Sequence, residues 1–102
     1  VKKLRMSYEK EIEELRELID ITDEIIMDVI TSRINLSKEF GRLKKKFNTH
    51  EMCPKRKEDI LEKIKNQSIE NDIDPEVARA VFDFLINYSV EVQNRIINGL
   101  AK

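Results

Sequence analysis

Residues 7–47 read SYEKEIEELRELIDITDEIIMDVITSRINLSKEFGRLKKKF. Stepping alternately by four and three residues from Tyr8 visits Tyr8, Ile12, Leu15, Ile19, Thr22, Ile26, Val29, Arg33, Leu36, Phe40, Leu43 and Phe47, and ten of these twelve are apolar. A heptad stripe sustained this far is one face of a continuous helix, expected over 4–47. At 1.5 Å per residue that helix is about 66 Å long. A compact domain of this size has a radius of gyration of only about 13 Å. The helix therefore cannot bury its stripe on the short remainder of its own chain, and an obligate homodimer is expected.

Outward from that stretch, the two prolines mark two further helix starts. Asp74-Pro75-Glu76 sets an N-cap, a first-turn proline and a first-turn acid in the favoured order. Cys53-Pro54 is a weaker version, because Cys caps poorly. The reading is an all-α chain of three helices, at about 4–47, 54–69 and 75–100, with joints at 48–53 and 70–74. Two glycines and two prolines in 102 residues agree with helix throughout. One domain, 1–102, is all this length accommodates.

Composition narrows the function. With 40% hydrophobic and 38% charged residues the chain is neither disordered nor membrane-embedded, and no apolar run exceeds three residues. The opening Val1-Lys2-Lys3-Leu4-Arg5 has no signal-type apolar stretch and one cysteine suits a reducing compartment, so the cytoplasm is expected. Nineteen basic residues against twenty acidic ones argue against a polyanion binder. Yet seven Lys or Arg and a single acid, Glu51, lie between Arg42 and Lys57. A local positive field on a near-neutral molecule suits a small anionic ligand better than nucleic acid. His50 and Cys53 lack the third group that a Cys/His nucleophile needs and fall short of a zinc set, so neither metal nor cofactor is expected.

The polar exceptions on apolar stripes are the candidate site. Arg33 interrupts the first stripe. The third-helix stripe Ala78, Val81, Phe82, Leu85, Ser89, Val92, Ile96 contains Ser89, with Gln93 one turn on. Polar groups on core-facing stripes satisfy one another or surround a polar ligand. Arg33 and Lys44 share a face three turns apart, about 16 Å along the axis. Arg16, about 25 Å from Arg33, cannot reach that place in its own chain. In an antiparallel dimer with its dyad near residue 27, Arg16 of the second copy falls opposite residue 38, between them. The bland alternatives are a register-fixing Arg33, a solvated Lys44 and an Arg16 paired with Glu13 or Asp20. Arg56 is then a surface residue, and Ser89 and Gln93 bond across the bundle. Gly41 inside a helix costs about 1 kcal/mol against Ala and is expected to permit close packing or ligand approach.

Leu15-Arg16-Glu17, Asp23, Arg33, Gly41, Lys44, Arg56 and the Ser89-x-x-x-Gln93 pair, in order and in register, resemble the all-helical chorismate mutases. The resemblance implies an intertwined dimer of three-helix chains that isomerises chorismate to prephenate on the route to phenylalanine and tyrosine. It implies that Arg16 of the partner and Arg33 clamp the substrate's carboxylates. Lys44 and Gln93 would donate to the breaking ether oxygen, and Arg56 and Ser89 would complete the pocket. Cys53 and Lys57 occupy two further substrate-binding positions and depart from the family pattern. Lys57 stands where the family usually has an acid or amide for the ring hydroxyl, so Lys57→Glu is expected to raise kcat/KM. Alternatives are a helical dimerisation module that has lost efficient chemistry, for which Lys57 is the motive, and a lyase acting on isochorismate.

Overall fold

The structure, a computed structural model, describes residues 1–50 and 53–100. Glu51, the one acid of the basic segment, lies outside the described residues. Three helices make up the chain, α1 (Lys2–Lys46), α2 (Pro54–Glu70) and α3 (Pro75–Ile97), and there is no strand among the described residues. The all-α, three-helix expectation with a very long first helix therefore holds.

Both prolines occupy the first turn of their helices. The Asp74 side chain accepts a hydrogen bond from the Glu76 backbone N–H at 2.9 Å, whereas Cys53 caps α2 with no side-chain bond. The three C-termini share one device. Asn48, Asp72 and Gly99 have φ of 52°, 56° and 74°, the left-handed conformation that reverses the chain. The next residue's N–H returns to the last helical turn in each case: Thr49 to the Lys44 carbonyl at 2.9 Å, Ile73 to Ser68 at 2.8 Å and Leu100 to Arg95 at 2.8 Å. Gly99 explains why α3 stops at Ile97 rather than near 100 as the periodicity suggests.

The chain divides into two compact units, Val1–Arg33 and Ile34–Lys102. Within the first, no residue is buried. Leu15, Ile19 and Val29 are each 57–59% exposed, the value of a helix with nothing against it.

The second unit holds the core, where α2 packs on α3. Ile86, Val92 and Ile96 are its buried apolar side chains, with Ile60, Leu61 and Ile64 of α2 half-buried. Ser37, Ser68 and Ser89 are buried too. Ser68 donates to the Ile64 carbonyl at 2.6 Å, which removes the cost of burying its hydroxyl. Val81 departs from the expected stripe. It is exposed, as are Val77, Phe84 and Tyr88, which fall on the same helical face at heptad spacing. The inward stripe of α3 runs instead through Phe82, Leu85, Ile86, Ser89, Val92 and Ile96.

Candidate active site

Polar side chains meet where the last turns of α1 face the end of α3. Lys44 Nζ donates to Gln93 Oε1 at 2.7 Å. Both side chains are half-buried, and Ser89, one turn earlier on α3, is buried. Because the ammonium takes the carbonyl oxygen of Gln93, the amide NH2 remains available as a donor. Lys44 keeps two further N–H groups. The arrangement concentrates hydrogen-bond donors, one of them charged, and supplies no general base.

Gly41 makes this approach possible. A Cβ at position 41 would stand 3.1 Å from Gln93 Cα, 3.2 Å from the Gln93 carbonyl oxygen and 3.2 Å from Ile96 Cβ. Two of those three atoms are backbone, which cannot swing aside. The glycine thus gives up about 1 kcal/mol of helix propensity to bring the α3 backbone against α1. Gly41→Val should destabilise the protein by about 1–3 kcal/mol, as overpacking usually does. Urea unfolding followed by circular dichroism checks this, and an unchanged midpoint would show that α1 and α3 separate freely.

The remaining candidate residues are placed as follows. Arg33 is half-buried. Arg16 is exposed, its guanidinium 4.0 Å from Glu13 with both side chains mostly in solvent. An ion pair that long and that wet holds the arginine weakly, leaving it free for a better anion. Arg56 and Cys53 are exposed at the start of α2. That first turn carries Lys55, Arg56 and Lys57 and no acid, so three cations face the positive end of the helix dipole.

Lys57 is engaged within the chain. Its Nζ lies 3.0 Å from Asp83 Oδ1 and 3.2 Å from Asn87 Oδ1. In this setting Lys57→Glu would set a carboxylate against Asp83, which opposes the expected gain in kcat/KM. Sequence reasoning missed Asp83 and Asn87. The signal for them is an acid and an amide one turn apart on the helix that packs against α2.

Among the described residues no group of three His, Cys, Asp or Glu is placed to hold a metal ion, and no helix is long and apolar enough to cross a membrane. Fold and site together define an all-helical protein whose polar centre pairs a lysine ammonium with a glutamine amide and contains no carboxylate among the contacts described, suited to holding an anion and to stabilising negative charge as it forms. Residues 15–94 match the family model described as chorismate mutase type II, most of the chain and all three helices, and the chain belongs to that family. No curated protein matches it.

Proposed function

We propose that the protein is a chorismate mutase, converting chorismate to prephenate in the cytoplasm on the route to phenylalanine and tyrosine. The observation that carries the reading is the 2.7 Å contact of Lys44 with Gln93, which brings a charged donor and an amide together in a chain of this family. The reaction is an intramolecular [3,3] rearrangement. The ether C–O bond breaks while a C–C bond forms between the enolpyruvyl arm and the ring, and no proton moves. Catalysis then needs only a held geometry and a countercharge for the ether oxygen. Lys44 and the Gln93 amide supply that countercharge. Arg33 and Arg56, with Ser89 beside the ring carboxylate, hold the substrate's anionic groups.

The working molecule is a homodimer, with Arg16 of the second copy completing each site. The exposed apolar stripe of α1 supports this. Fully burying one Leu or Ile side chain contributes roughly 1.5–3 kcal/mol, and the unburied first unit carries many such side chains.

Incubating the protein with chorismate and following its ultraviolet absorbance tests the reading, with prephenate at a catalytic rate as the expected product. Unchanged chorismate would instead mark a dimerisation module. Pyruvate released from isochorismate, with chorismate untouched, would mark a lyase.

A further inference from the structure

The first turn of α2 is poorly made on its own terms. Its cap residue Cys53 gives no side-chain bond, it contains no acid, and Lys55, Arg56 and Lys57 oppose the helix dipole. Such a turn frays unless something outside it supplies the missing negative charge. The contact that does so comes from α3. Lys57 Nζ reaches Asp83 at 3.0 Å and Asn87 at 3.2 Å, and Asn87 Nδ2 lies 3.4 Å from Asp83 Oδ2, which closes a three-residue network. An isolated exposed ion pair is worth little, but here the ammonium has two acceptors one helical turn apart. One end of the network adjoins Arg56 in sequence, and the other lies two residues from Ser89.

We propose that Lys57, with Asp83 and Asn87, is a strut that orders the first turn of α2 and so positions Arg56 for the substrate anion. The role given to Arg56 rests on the mutase reading above; the strut itself rests on the contacts. Lys57 is then a positioning residue, and the family departure at this site is a mechanical substitution rather than a lost ligand.

Charge reversal tests it in the full-length chain, with Lys57→Glu, Asp83→Lys and the double variant that swaps the pair. Two readouts are taken: the kcat and KM for chorismate, and hydrogen exchange of the Glu58, Asp59 and Ile60 amides, which close the first turn of α2. Each single variant should raise KM about three- to tenfold with kcat little changed. Asp83→Lys should also speed exchange at those amides, and Lys57→Glu should do so less, because its carboxylate partly offsets the lost strut at the positive end of the helix dipole. The swap should bring KM back within about twofold of the parent, as a pairwise interaction requires, and restore protection. Lys57→Met, which removes the charge without creating repulsion, should show the same changes in smaller measure.

A swap as impaired in KM as the single variants would overturn the proposal, because the Lys57 charge would then be acting on substrate directly. So would single variants with faster exchange and a parental KM, or with no change in either. If the parent protein does not turn over chorismate, the mutase reading falls and exchange alone judges the strut. Protection lost in the single variants and regained in the swap upholds it, and unchanged protection overturns it.

Discussion

Lys44→Met should lower kcat by about 10²–10³, the usual effect of deleting one preorganised donor at a developing oxyanion. KM should change less, because the arginines carry most of the ground-state attraction. Gln93 sharpens the test through pH. As an amide it donates at any ordinary pH, so the parent profile should be nearly flat from about pH 5 to 8. Gln93→Glu puts a carboxylate 2.7 Å from the Lys44 ammonium. Ionised, it can only accept, and it ties up Lys44 as well, so both donors are withdrawn at neutral pH. Protonation returns a donor. An ordinary glutamate titrates near about 4.3, and the neighbouring ammonium favours the ionised form, so activity should climb as pH falls below about 5. A steady-state pH profile of the variant checks the sign, and a flat one would remove Gln93 from the reacting atoms.

Arg16→Ala and Arg33→Ala homodimers should each be nearly inactive, yet refolding an equal mixture should recover about a quarter of parental activity. Half the dimers formed by random pairing are mixed, and each mixed dimer has one of its two sites with both arginines intact. No recovery, with mixed dimers demonstrated by mass spectrometry, would put Arg16 outside the partner's site. The weak Arg16–Glu13 contact at 4.0 Å leaves the guanidinium available for such a role.

Much of this architecture was legible because helix signals are local. The heptad stripe found α1, and the two prolines found the starts of α2 and α3 to the residue. The ends of α1 and α2 were legible to within a residue, whereas α3 stops at Ile97, short of the expected 100, because the chain turns into the left-handed region at Gly99. Val81 went astray because a face about 100° wide leaves a residue at its edge on either side, and the packing of α2 decides which. Faces and spacing marked Lys44 and Gln93 as candidates, but their 2.7 Å contact depends on how closely two backbones approach at Gly41. Lys57 shows the limit from the other direction. Its chemistry was plain in the sequence, but its partners Asp83 and Asn87, on another helix, depend on tertiary packing.

The backbone contact at Gly41 also decides where the chain tolerates changes in length. Gln93 is held by the position of its own Cα against α1 rather than by a flexible reach. One residue inserted between Ser89 and Gln93 would turn all that follows by about 100° and seat Val92 where Gln93 now lies, removing the amide and breaking the inward stripe together. The same insertion in the turn around Asp72 would lengthen a surface loop at little cost, since loop closure depends only weakly on length. Drift in such chains can therefore accumulate in the turns, while the count of residues along α3 stays fixed by the distance from its core to Lys44.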